Sequence, residues 1–180
     1  MSLEKLKYPI GKFVVNESIN QSMIDEWIVD LSTFPERLKN ETFDLTDKEL
    51  DTPYRIDGWT IRQVIHHCAD SHMNSFIRFK LALTEDNPVI KPYFEEHWAE
   101  LKDSKQMPIA SSLNIIEGIH ERWVFLLMNL TSIDLKKTFI HPESGESFYL
   151  DEIIGMYAWH SNHHLAQIVE CKKTFSNENL

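Results

Sequence analysis

Leu150-Asp151-Glu152-Ile153-Ile154-Gly155-Met156-Tyr157-Ala158-Trp159-His160-Ser161-Asn162-His163-His164-Leu165-Ala166-Gln167-Ile168-Val169 is the stretch whose periodicity decides the fold. At about 100° per residue, Leu150, Ile153, Ile154, Tyr157, Leu165, Ile168, Cys171 and Phe175 share one apolar face. That spacing predicts a helix from about Leu150 to Lys173, with Asp151 and Glu152 suited to the positive end of its dipole. His164 falls within the apolar face and His160 near its edge, whereas His163 points well off it. Ile153 to Val169 is free of Asp, Glu, Lys and Arg. Its Ser161, Asn162, Gln167 and three histidines still make it a poor membrane span.

Working outward, three more helical patterns emerge. Met23, Trp27, Ile28, Leu31, Phe34 and Leu38 mark one from about Ser18 to Leu45, which Pro35 kinks or divides. Thr60-Ile61-Arg62-Gln63 has the form of a capping box, and helical spacing continues through Ile65, Cys68, Phe76, Phe79 and Leu83. Leu113, Ile116, Trp123, Leu127 and Leu130 form a stripe over about Ser111–Leu130. Between these, Thr46-Asp47-Lys48-Glu49 is a second capping box that opens one short turn. Residues 86–108, with Pro88, Pro92 and Pro108, read as a long connection holding a short helix at Phe94–Leu101. Residues 139–149 read as a small hairpin or loop, and residues 1–17 as irregular. The expectation is an all-α protein: one domain over 1–180, a four-helix bundle with short extra helices.

Composition agrees with that class and excludes others. An apolar fraction of 42% and a charged fraction of 26% are those of an ordinary globular protein. A formal net charge of −10 argues against a phosphate backbone as partner, since such binding needs Lys and Arg to neutralise phosphates. The basic pairs Lys136-Lys137 and Lys172-Lys173 read as solvated surface. Two cysteines, Cys68 and Cys171, form no secreted disulfide framework and read as small core residues. The first residues lack the apolar core of a signal peptide, so the expected location is cytoplasmic, with neither membrane nor nucleic acid as partner.

Six of the nine histidines fall in two of the predicted helices: 66, 67 and 72, then 160, 163 and 164. Residues four apart on a helix are surface neighbours, about 5–6 Å between Cβ atoms. His160 and His164 can therefore reach one small cation from the buried side. Burying two imidazoles without partners is costly, and a metal satisfies both together. A third nitrogen must come from another helix, and periodicity leaves His66, His67 and His72 all open. His120 reads as a core residue or one supporting a ligand, and His97 and His141 as exposed. Gly-rich phosphate loops, nucleophile elbows, Cys-x-x-Cys and His-Glu-x-x-His are absent. Glu143, Glu146 and Asp151 could each act as general base, and no spacing singles one out, so the catalytic residue stays unassigned.

Two segments, Gly58 to His72 and Tyr157 to His164, resemble the DinB/YfiT-like superfamily. Tyr8-Pro9-Ile10-Gly11, Asp51-Thr52-Pro53-Tyr54-Arg55, Ile77-Arg78-Phe79-Lys80-Leu81 and Leu101-Lys102-Asp103-Ser104 extend the likeness over nearly the whole chain. The resemblance implies a bundle, a homodimer, and one divalent metal ion per subunit, zinc or nickel, held by His67, His160 and His164. Cys68 stands where such relatives carry Leu, and Asn162 and Gln167 where they often add His; none of these matches a ligand position.

Three neutral nitrogens leave an open position on the metal, where water can be activated. The leading expectation is therefore a metal-dependent hydrolase acting on a small molecule. An alternative is a metal-dependent S-transferase for a low-molecular-weight thiol of the bacillithiol type, whose sulfur a metal would deprotonate. An arginine among Arg55, Arg62, Arg78 and Arg122 near the site would favour a thiol carrying carboxylates. A non-catalytic metal- or ligand-binding stress protein is the third reading.

Overall fold

The computed structural model describes residues 2–16 and 18–175. In chain order the elements are α1 (Leu3–Lys7), α2 (Gln21–Thr42), α3 (Asp47–Leu50), α4 (Ile61–Thr84), α5 (Glu95–Ala99), α6 (Lys102–Gln106), α7 (Ala110–Leu127), β1 (Thr138–Ile140), β2 (Ser147–Tyr149) and α8 (Leu150–Phe175). The long helices α2, α4, α7 and α8 form a four-helix bundle. α2 packs on α7 and α8, and α4 packs on the same two. The consecutive long helices α2 and α4 therefore face each other across the bundle diagonal, as do α7 and α8.

Local chemistry fixes the helix starts. Both capping boxes are made: Thr60 Oγ1 accepts from Gln63 N–H at 3.1 Å, and Thr60 N–H donates to Gln63 Oε1 at 2.9 Å. Thr46 and Glu49 do the same for α3. α2 begins later than periodicity suggests, because Asn20 Oδ1 caps it through Met23 N–H at 3.1 Å. It then runs unbroken through Pro35. Having no N–H, Pro35 leaves the carbonyl of Leu31, four residues earlier, without its helical donor.

Other boundaries shift for similar reasons. The segment expected to be irregular contains α1, capped by Ser2 Oγ from Lys5 N–H; Met1 and Glu17 lie outside the described residues. The short helix expected at 94–101 is α5, and a further short helix, α6, follows it in the same connection. The third long helix ends at Leu127, short of the expected Leu130, and α8 reaches Phe175. β1 and β2 pair antiparallel, with Phe139 opposite Phe148. No helix among the described residues is long and apolar enough to cross a membrane.

The core is split into two apolar clusters along the bundle. One gathers Leu31, Phe79, Trp123 and Tyr157, and the other Phe34, Leu38, Ile61, Ile65, Ile116 and Ile168. Between them lies a buried polar layer that includes His67, Ser71, His72, His120, Ser161 and His164. Phe34 of one cluster and Trp123 of the other pack on the His72 ring within that layer. Cys68 and Cys171 are buried free thiols, as expected of core residues. Lys172 departs from the solvated-surface reading, since its Nζ bridges from α8 to the Glu41 carbonyl oxygen and carboxylate on α2, whereas Lys173 is exposed.

Candidate metal centre

α4 and α8 meet along part of their length, and there the structure brings His67, His160 and His164 together. One nitrogen from each ring lies within 4.8 Å of the others. His67 Nε2 and His160 Nε2 are 3.2 Å apart. Tetrahedral zinc with Zn–N bonds of about 2.0–2.1 Å needs donor nitrogens about 3.3 Å apart, so the pair fits such an ion. Of the three candidates for the upstream ligand, only His67 joins this group. His66 bonds instead to Ser112 Oγ at 2.7 Å and the Met107 carbonyl at 3.1 Å. His72 sits behind His160, its Nε2 3.0 Å from His160 Nδ1.

Electrostatics hold the rings in the form a metal needs. Burial pushes His67 down to about 4, aided by His163. Burial, with the neighbouring imidazoles, takes His160 and His164 well below the usual histidine range. All three are neutral donors at pH 7, which is the ligating form. The Trp59 ring packs against His67 with centroids 4.8 Å apart. Gln167 orients His164: its Oε1 is 2.8 Å from His164 Nδ1, while its amide N–H donates to the Lys7 carbonyl at 3.1 Å. No sequence pattern marks Gln167 for this role, because its partner carbonyl lies in the N-terminal segment.

His163 departs from expectation. The helical wheel turned it away from the core, yet it is buried. The N-terminal segment covers it, with Tyr8 5.8 Å away between ring centroids, and Trp159 stacks on it at 4.6 Å. Its Nε2 contacts Gln167 rather than the three-histidine group. His141, expected to be exposed, is half-buried at the mouth of a cleft, while His97 is exposed.

Two clefts flank the three histidines. One, of about 490 Å³, is lined by His160 with Arg78, Tyr93, Glu95, Glu143 and Tyr157. The other, of about 700 Å³, is lined by His164 with Arg55, Trp59, Glu96 and Glu100. Glu95, Glu96 and His97 border both, so the start of α5 stands between them. Lost hydration and the charge of Glu96 raise the Glu95 carboxyl above its ordinary range, with Arg78 opposing. A larger cleft, of about 760 Å³ between α2 and α7, reaches none of the three histidines.

Of the candidate bases, only Glu143 lies in a cleft beside the site. Glu146 lines a separate cleft at the hairpin, and Asp151 is buried against Lys136 at 2.6 Å. Glu95 and Glu96 were not singled out by the sequence, since they lie in a connection whose path only tertiary packing sets. Arg62 is structural: it bonds Asp47 and Asp51 at 2.7 Å each and the Met107 carbonyl at 3.1 Å. Arg122 stacks over Phe76. Arg62→Ala is expected to lower the unfolding free energy by about 1–3 kcal/mol, the cost of losing part-buried charge-assisted bonds. Metal content of the folded variant is expected to stay unchanged. Denaturant titration beside elemental analysis checks both.

A sequence profile described as the DinB superfamily matches residues 31–168. A relative from Bacillus cereus is 55% identical over 171 residues, covering 95% of this chain and 98% of the relative. One from Bacillus anthracis is 54% identical over the same share of each chain. Both bear a name, provisional in its own wording, as metal-dependent hydrolases. Among solved structures, YfiT from Bacillus subtilis superposes with a TM-score of 0.93 at 48% identity, over 96% of this chain and 98% of that one. It is described as a probable metal-dependent hydrolase with an unusual four-helix bundle topology.

Proposed function

The chain belongs to the DinB superfamily, and from that premise we propose a hydrolase whose divalent metal is held by His67, His160 and His164. The observation that carries this reading is the convergence of three neutral imidazoles from two helices, with no Cys, Asp or Glu completing the group among the described residues. A structural zinc site closes with four protein ligands, whereas three leave a position for reactants. When bound there, a zinc or nickel ion supplies Lewis acidity, lowering the pKa of water and polarising a substrate oxygen. Glu95, Glu96 and Glu143 line the cleft beside His160 and are the carboxylates available to accept a proton. Trp59 covers His67 and helps exclude solvent from that ring. A homodimer in the cytoplasm acting on a small molecule completes the proposal.

A second reading has its own observation. Arg78 lines the cleft with His160, and Arg55 the cleft with His164. Such cations suit a small thiol bearing carboxylates, whose sulfur would attack an electrophile with loss of its leaving group. One experiment separates the two readings. Zinc-loaded and nickel-loaded protein are assayed for p-nitrophenyl acetate hydrolysis, and for conjugation of small thiols, including bacillithiol, to a chlorobimane. The hydrolase reading expects ester turnover at least about tenfold above a His160→Ala variant, with no thiol requirement. Conjugation above that background, without ester turnover, would replace it with the transferase. Neither activity above background would sink both.

A further inference from the structure

His160 ends a chain of buried imidazoles. Its Nδ1 is 3.0 Å from His72 Nε2, and His72 Nδ1 is 2.6 Å from His120 Nε2. His120 Nδ1 is in turn 2.6 Å from the Leu31 carbonyl oxygen. His72 and His120 are 0% and 1% exposed. Phe34, Trp123 and Tyr157 pack on the His72 ring at the middle of the chain, while His120 borders the cleft between α2 and α7 and His160 the cleft beside Arg78.

The polarity of this chain is fixed at its far end. A carbonyl oxygen can only accept, so the N–H of His120 is on Nδ1 and its Nε2 carries the lone pair. His72 must then donate from Nδ1, which leaves its own Nε2 to accept. His160 must donate from Nδ1 in its turn, leaving its Nε2 bare. That atom is the one 3.2 Å from His67 Nε2. Reversing any link would set either two N–H groups or two lone pairs face to face between almost wholly buried rings, a heavy cost for unsatisfied polar atoms.

The source of the polarity lies in α2. Pro35 has no N–H to offer Leu31, so that carbonyl is free to accept from α7. We propose that the Leu31 carbonyl, released by Pro35, sets the tautomers of His120, His72 and His160 in series and so aims a lone pair at the metal site. His72 and His120 are thus positioning residues that act through His160. The metal half of this inference rests on His160 being a ligand; the tautomer half does not. Gln167, held by the Lys7 carbonyl, does the same for His164 in a single step.

Two measurements test it. Nitrogen-15 NMR of the metal-free wild-type protein distinguishes protonated ring nitrogens from those bearing a lone pair. His72, His120 and His160 are all expected with the proton on Nδ1; a proton on His160 Nε2 overturns the proposal. Zinc affinity is then measured by chelator competition in His120→Leu and His120→Gln. Leucine breaks the chain and is expected to weaken zinc binding about 10–100-fold, the usual effect of losing a ligand's supporting partner. Glutamine can donate its amide N–H to Leu31 and accept from His72, so its affinity is expected within about threefold of wild type. Equal losses in both variants, or none in either, overturn the proposal. Should His120→Leu fail to fold, the wild-type tautomers still decide. Failure of the wild type to bind zinc would count against the metal reading alone.

Discussion

Replacing His160 by alanine is expected to abolish metal binding, and with it any metal-dependent turnover. The three nitrogens lie within 4.8 Å of one another, so removing one leaves two donors and a second open position. Loss of a supporting partner alone typically costs 10–100-fold in affinity; loss of a ligand is expected to cost more than about 100-fold by the same scale. Metal per chain, measured by inductively coupled plasma mass spectrometry after reloading, should fall from about one to near zero in His67→Ala, His160→Ala and His164→Ala. His163→Ala is the contrasting variant: its ring packs edge-on against His164, 5.0 Å between centroids, but its Nε2 is 3.0 Å from the Gln167 amide and it is not one of the three converging donors. It should retain metal. Metal held by His67→Ala but lost from His72→Ala would mean that the upstream ligand has been misassigned.

Acidification of the metal-free protein is expected to produce the second large effect. Burial takes His67, His120 and His163 down to about 4, against an unfolded value of 6.5. Between these values the unfolded chain binds protons that the folded chain refuses. Stability therefore rises with pH across that window. It is fully present above about pH 6.5 and is lost progressively as pH falls toward about 4. At 1.36 kcal/mol per pH unit, each of the three histidines forfeits up to about 3 kcal/mol. Together they approach the 5–15 kcal/mol of a typical domain. Urea midpoints of chelator-treated protein should drop steeply between pH 7 and pH 5. Midpoints that stay level over that range would show that the histidine layer accepts protons while folded. Saturating zinc should oppose the early part of the decline, because a ligand that binds only the folded state adds stability by mass action.

Much of the bundle is legible in the sequence. The apolar face of α8 and the Thr60 capping box depend on residues within a turn or two of each other, and both proved correct to within a few residues. Of the two outcomes expected at Pro35, division does not occur: α2 passes through it, since packing of Leu31, Phe34 and Leu38 outweighs one missing helical bond. The His160 and His164 pair was legible for the same local reason. The choice among His66, His67 and His72 was not, because helix rotation about its own axis depends on which faces its neighbours cover. Arg62 illustrates the limit. As a cation near the histidines in sequence it invited a functional reading, yet its guanidinium is tied to Asp47, Asp51 and the Met107 carbonyl.

The sequence by itself determined four long helices, their buried stripes and the spacing that puts two imidazoles side by side on α8. Periodicity carries that information because a helix repeats its environment every 3.6 residues. Tertiary structure alone decided that α2 and α4 lie across the diagonal, that Glu95 and Arg78 reach the cleft, and that the N-terminal segment buries His163. It also decided which nitrogen of His160 is bare. That choice is made by a carbonyl on α2, passed through rings on α7 and α4, and no pattern within one helix records it.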